Sequence, residues 1–352
     1  MRKVLKNKVV KYAVTAAMVM SVMMTTACNS KIKVDYGYNP NDYVELGDYK
    51  GIQAEVDVTS ITNQVIDDKI AEQLESETTY TDVNREAQKG DKVTFSYSGT
   101  SGGLSVDDFT GSDYSMTLGK DAFPVAGTGL DEELCGMVAG QTKVITITLP
   151  ENSKYSDYGK RVVFELTMSY VQQANVPMLT DAFVKSAFNC ETVDSYKAHV
   201  KNDVSGTIET KITEAKNEAI LTQLLDKCKV TGYPEEFLAQ QSSKLEESIS
   251  FYSTLQGKTN DEYCQKLYGM TFDEFVKASA GQQLVYQAIA EKEGLAITDY
   301  EYKDDLEQFA KDSGYSKVDT FTDKYDKETI VKSMLVKKAQ NLVMDNAVIT
   351  EK

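Results

Sequence analysis

Apolar and polar positions alternate with period two through much of residues 90–171, the signature of half-buried strands. Val93, Phe95 and Tyr97 share one face of a first strand. Val144, Ile145, Ile147 and Leu149 mark a later one, and Val162, Phe164, Leu166 and Met168 the last. Between them Gly129 to Met137 is apolar on one side only (Leu130, Leu134, Met137), which suits a single short helix packed across a sheet. The order is strand, loop, strand, short helix, strand, strand, with a glycine or Gly-Thr pair at most joints. Such a unit predicts a small apolar cleft.

The pattern changes on both sides. Tyr49 to Val58 alternates and predicts a strand. Thr62 then reads as a helix N-cap, with Val65, Ile66, Ile70 and Leu74 as the buried stripe to about Glu77. After Pro177 helical spacing takes over. Thr180 to Phe188 predicts a short helix. Thr192 to Lys227 predicts one long helix, Gly206 included, from its stripe of Val193, Tyr196, Val200, Val204, Ile208, Ile212, Ala215 and Ala219. Pro234 opens another helix at its favoured first-turn position, to about Gln256. Phe272 to Glu293 stops at Gly294, Thr298-Asp299 caps a helix to about Ser313, and Asp326 to Asn346 forms the last.

The amino terminus is basic (Arg2, Lys3, Lys6, Lys8, Lys11). An apolar run from Tyr12 to Met24 and then Thr25-Thr26-Ala27-Cys28 follow, the layout of an export signal spanning residues 1–27. The run falls short of the roughly 20 apolar residues that span a bilayer. Cys28 behind small residues resembles the bacterial lipobox, which implies a lipidated cysteine; Thr25 stands where that motif usually carries Leu. Residues 28–47, polar and rich in Asn, Tyr and Asp, show no clear period and read as a tether to the body.

Charge narrows the function classes. The chain has 54 acidic and 38 basic residues, a formal net charge of −16. Removal of residues 1–27 takes away five lysines and arginines and leaves about −21. Phosphate backbones repel so acidic a surface, which argues against nucleic acid as a partner.

Familiar catalytic chemistry is missing. His199 is the single histidine and lies in a helical stripe, so a Ser-His-Asp or Cys-His system is hard to build. Cys135, Cys190, Cys228 and Cys264 are scattered, without a C-x-x-C pair, and read as buried thiols with one disulfide left open. No P-loop or G-x-G-x-x-G opens a helix, and no metal site or cofactor is expected.

The motifs GDKVTFSYSGT, DDFTGSDYSMTLGKDAF, GLDEELCGMVAGQTKVITITLP and GKRVVFELTMSYV together resemble an FKBP-type peptidyl-prolyl isomerase domain, in the version found in trigger factor. The lead-in YKGIQAEVDV, the exit around Pro177 to Lys185, GLAITDYEY near Thr298 and the terminal AVITEK resemble trigger factor too. The resemblance implies an α+β fold: an FKBP-like antiparallel sheet wrapped on one short helix, plus an all-α arm domain. It implies a lead-in at 48–88 packing with the helical domain, an isomerase domain at 89–174 and a substrate-binding helical domain at 175–352. Residues 1–47 show no match to the family's ribosome-docking domain, so no ribosome partner is expected.

By the same resemblance Tyr97 (in a Tyr-x-Gly pattern), Phe109, Tyr114, Met116, Leu130 and Phe164 line the catalytic cleft. Phe123 or Val125 sits at its edge, and Tyr155 or Tyr158 on a late loop. Two positions depart from the family's habit: Thr110 follows Phe109 where an Asp is common, and Leu130 stands where Trp or Phe is common. The implied protein is an exported, lipid-anchored foldase on the outer face of a bacterial membrane, acting on unfolded exported chains and their X-Pro segments. A holdase with a non-catalytic FKBP-like domain and a ligand-binding surface lipoprotein are the competing expectations.

Overall fold

The computed structural model describes residues 30–121, 123, 130–149, 161–256 and 258–352. The expected export signal, Cys28, Val125, Tyr155 and Tyr158 lie outside the described residues. Two compact units emerge: one from residues 30–65, 205–251 and 260–352, the other from 66–204 and 252–259.

In chain order, a 3-10 turn at Pro40–Asp42 leads into β1 (Val44–Glu45), β2 (Gln53–Val56) and helix α1 (Val58–Ser76). Next come β3 (Thr79–Asp82), β4 (Lys92–Ser101), β5 (Leu104–Thr117), α2 (Leu130–Leu134), β6 (Thr142–Thr148) and β7 (Arg161–Asn175). Helices α3 (Asp181–Phe188), α4 (Val193–Asp203) and α5 (Ser205–Lys227) follow, then β8 (Lys229–Val230) and α6 (Glu235–Leu255). The chain closes with α7 (Asn260–Tyr268), α8 (Phe272–Lys292), α9 (Asp299–Asp312), α10 (Val318–Lys324), α11 (Lys327–Asp345) and β9 (Val348–Glu351).

The β unit is one antiparallel sheet. β4 is central, flanked by β5 and by the long β7. The other edge of β7 carries β6 along its first half and β3 along its last four residues. Inward residues of β4 and β7 (Val93, Phe95, Phe164, Leu166, Met168) meet Leu130, Leu134 and Met137 in one core. The turn before β4 is fixed by Asp91, which accepts both guanidinium hydrogen bonds of Arg85 at 2.6 and 2.9 Å and the Gln88 backbone N–H at 2.9 Å. Burial pushes the Asp91 pKa up, but the Arg85 hydrogen bonds, the Gln88 N–H and the Arg85 charge outweigh it and hold the carboxyl below its ordinary range. In the same unit α3 and α4 close on each other through stacked Phe188 and Tyr196 at 4.6 Å, and the Tyr196 hydroxyl donates to Gln73 at 2.6 Å.

The helical unit centres on α8, whose Leu284, Val285, Ala288 and Ile289 are fully buried against residues of α5 and α11. β9 returns to pair in parallel with β2, from Gln53 opposite Val348 to Val56 opposite Glu351. Ile52 and Ala54 thereby join the same core. A second core forms where α9, α10 and α11 enclose Phe321, Ile330, Val331 and Leu335.

Five expectations change. Helix α1 starts at Val58, not after Thr62, because Asp57 accepts the Ser60 backbone N–H at 2.8 Å and caps it earlier. Regular pairing in the preceding strand is confined to Gln53–Val56, the stretch that β9 reaches. The single helix read over 192–227 is two: Val204 leaves helical geometry, which moves Gly206 from a helix interior to a first turn, where glycine costs less. That break coincides with the boundary between the units, so α3 and α4 group with the sheet and not with the arm. β3 likewise extends the sheet upstream of residue 89.

The fifth change concerns the tether. Residues 30–47 are packed along the helical unit: Lys31 bridges Thr298, the Tyr38 hydroxyl donates to Gln287 at 2.8 Å, Pro40 is buried, and β1 pairs with β8. The sequence carries the cause. Ile32, Val34, Tyr36 and Tyr38 alternate with exposed Lys31, Lys33, Asp35 and Gly37, so one edge of an extended segment is apolar and half-buried.

Candidate functional site

The β sheet gathers its aromatic side chains at one place. Phe95 and Tyr97 project from the inner face of β4, Phe109 and Tyr114 from β5, and Phe164 from β7. Phe123 sits among them, ring centre to ring centre 4.9 Å from Tyr97, 5.6 Å from Tyr114, 6.0 Å from Phe95 and 6.1 Å from Phe164. Most of these contacts are edge-to-face or tilted, the arrangement favoured by the aromatic quadrupole. Phe109 packs on Phe164 at 5.7 Å.

Two glycines make this assembly fit. Gly99 has no room for a side chain: a Cβ there would lie 2.5 Å from the Phe109 Cβ and 2.8 Å from the Phe164 ring. Gly111 lies under Tyr97, where a Cβ would be 2.6 Å from the ring and 2.7 Å from the hydroxyl oxygen. Neither has a positive φ, so each is required for space. The Tyr-x-Gly pattern at 97–99 thus has a packing cause.

Tyr97, Phe109, Tyr114, Met116, Phe123, Leu130 and Phe164 all belong to this one cluster. Phe109, Met116, Leu130 and Phe164 are fully buried, Phe123 is 3% exposed, and only Tyr97 and Tyr114 are half-exposed. Phe123, expected at an edge, packs among the rings of Phe95, Tyr97, Tyr114 and Phe164. Phe95 is a member that the motif reading passed over, although it shares its strand face with Tyr97.

Chemically the cluster is apolar. Thr110 does not enter it: the hydroxyl donates to the Val106 carbonyl at 3.3 Å, and the residue lines a shallow hollow of about 480 Å³ with Ser96, Ser98, Ser112 and Thr167. His199 is exposed, 3.5 Å from Asp203 on α4. Cys190, Cys228 and Cys264 are free thiols, and burial pushes that of Cys264 up to about 11.

Comparison with known proteins matches two stretches of the chain, the second of which includes α4 although α4 groups with the sheet unit. Residues 83–169 match the FKBP-type peptidyl-prolyl cis-trans isomerase family, and residues 192–346 match the bacterial trigger factor protein C-terminus. The chain is 26% identical over 318 residues to the trigger factor of Agathobacter rectalis, covering 86% of this chain and 70% of that one. It is 25% identical to the trigger factor of Clostridioides difficile, over 87% of this chain and 73% of that one. A solved structure of the trigger factor chaperone aligns at 18% identity and a TM-score of 0.45, over 86% of this chain and 72% of that chain.

Proposed function

From a trigger factor-like chain that carries an FKBP-type isomerase domain and a trigger factor C-terminal domain, we propose a membrane-anchored foldase for exported polypeptides. The observation that carries its chemistry is the apolar aromatic cluster around Phe123. An X-Pro bond rotates over a barrier of roughly 18–20 kcal/mol because twisting breaks amide resonance. The twisted amide is less conjugated, and a dry apolar wall favours it over the planar form. No nucleophile or proton transfer is needed, and each 1.4 kcal/mol of preferential binding is worth about tenfold in rate.

In this reading Tyr97, Phe109, Tyr114, Met116, Leu130 and Phe164 form the wall that receives the prolyl ring. Phe123 must move aside for it, because its own ring fills the centre. Tyr97 and Tyr114, the half-exposed members, meet the client first. The helical unit binds the unfolded chain before and after isomerisation. Cys28, lipidated after export, holds the whole on the outer face of the membrane.

The test is proline-limited refolding of an unfolded exported protein by membranes bearing the chain. Membranes from cells with wild-type protein accelerate the slow phase. With Cys28→Ala, the acceleration moves to the soluble fraction. Acceleration that remains in the membrane fraction of the Cys28→Ala strain excludes the anchor.

A further inference from the structure

We propose that residues 30–38 are an orienting strap that seats the α9 edge of the helical unit against the lipid headgroups. The inference rests on the lipid anchor at Cys28. Its geometric basis is the way the segment is fastened. Antiparallel pairing joins it to the residues before α9: the Ile32 N–H donates to the Ile297 carbonyl at 2.8 Å, and the Asp299 N–H donates to the Ser30 carbonyl at 3.2 Å. The Ser30 hydroxyl adds a bond to the Asp299 carboxylate at 2.7 Å, and that carboxylate also accepts from Lys327 at 3.0 Å. Ile32 and Val34 then pack on the core of α9, α10 and α11.

A flexible tether of 20 residues would let the body wander tens of ångströms from the bilayer. Here Ser30 is already fastened, and it is two residues from Cys28, a reach of about 7 Å even when extended. The start of α9 must therefore lie at the membrane surface. Its exposed groups suit that place. Tyr300 is 55% exposed, and an amphipathic ring of this kind favours the headgroup layer. Lys31, Lys33 and Lys303 are exposed along the strap and the first turns of α9, interleaved with the exposed carboxylates of Asp35, Asp304 and Asp305. Asp299 itself is held by Ser30 and Lys327, and Glu301 by Lys338 at 2.6 Å.

The chain contains no tryptophan, so Tyr300→Trp supplies a single reporter in the full lipidated protein. The probe is a vesicle of phosphatidylglycerol and phosphatidylcholine with nitroxide-labelled headgroups. Quenching of the Tyr300→Trp emission is expected, with loss of most of it when an eight-residue Gly-Ser spacer is inserted between Asn29 and Ser30. Protein that binds the vesicles but shows no quenching, or the same quenching with and without the spacer, overturns the strap and leaves the anchor standing. Wild-type protein that binds no better than its Cys28→Ala variant overturns both.

Discussion

Substituting Gly99 by alanine isolates the packing that shapes the aromatic cluster. The new Cβ would stand 2.5 Å from the Phe109 Cβ, about 0.9 Å inside the 3.4 Å at which ordinary contact begins. It would also stand 2.8 Å from the Phe164 ring. The ring can turn, but the Phe109 Cβ is fixed to the backbone of β5, and Gly99 faces Phe164 in the β4–β7 register. Relief requires the strands to part by most of an ångström. Overpacking of this kind costs about 1–3 kcal/mol. If the cluster is the catalytic wall, a displacement near 1 Å also lowers kcat/KM by up to about 10²-fold. The assay is cis-to-trans exchange of a prolyl peptide beside thermal unfolding. Gly206→Ala is the control: Gly206 has open space around it, no positive φ and a place in the first turn of α5, so alanine there raises stability by less than the roughly 0.5–1 kcal/mol of a helix interior and leaves activity unchanged. A Gly99→Ala protein with wild-type Tm and wild-type kcat/KM would refute the argument.

Three further outcomes follow from the structure. Asp91 has a folded-state pKa below its ordinary value of about 3.9, so its contribution is complete above that pH and is lost as pH falls through the folded value; acid titration of unfolding should show the slope in wild type and a weaker one in Asp91→Asn. Tyr38→Phe leaves the buried Gln287 carbonyl oxygen without its 2.8 Å donor and should lower urea stability by about 1–3 kcal/mol, whereas Asn41→Ala on the exposed 3-10 turn should change little. Phe123→Ala should speed entry to the cleft, seen as a lower KM for prolyl peptides, at a cost in stability of about 3–5 kcal/mol because four ring contacts are lost; an unchanged KM would remove Phe123 from the path of the substrate.

The sequence made the sheet legible because Val93 and Phe95 on β4 and Val162, Phe164, Leu166 and Met168 on β7 alternate into the core; past Met168 a register shift turns Tyr170 out and Val171 in. Helices α8, α9 and α11 were legible for a different reason: Thr271, Thr298 and Asp326 are true caps, each accepting a backbone N–H three residues on. Thr62 looked the same but stands inside α1, because Asp57 captures the helix first. The short helices α7 and α10 carry too few residues for a clear stripe. That Tyr97, Phe109, Tyr114, Met116, Leu130 and Phe164 share one cluster was recoverable from motif and alternation. The central position of Phe123 was not, since it shows only in ring contacts with Phe95, Tyr97, Tyr114 and Phe164, which come from three different strands. The strap was hidden by composition: its polar, Tyr- and Asn-rich character masked a period-two edge that becomes meaningful only beside α9.

The most direct test is prolyl cis–trans exchange catalysed by residues 30–352, a body that keeps the strap's fastenings, compared with Phe164→Ala in a form verified as folded by its cooperative unfolding. Exchange well above the uncatalysed rate is expected for the wild-type body, with a large loss in the variant. A wild-type rate at background, with the protein folded, would contradict it.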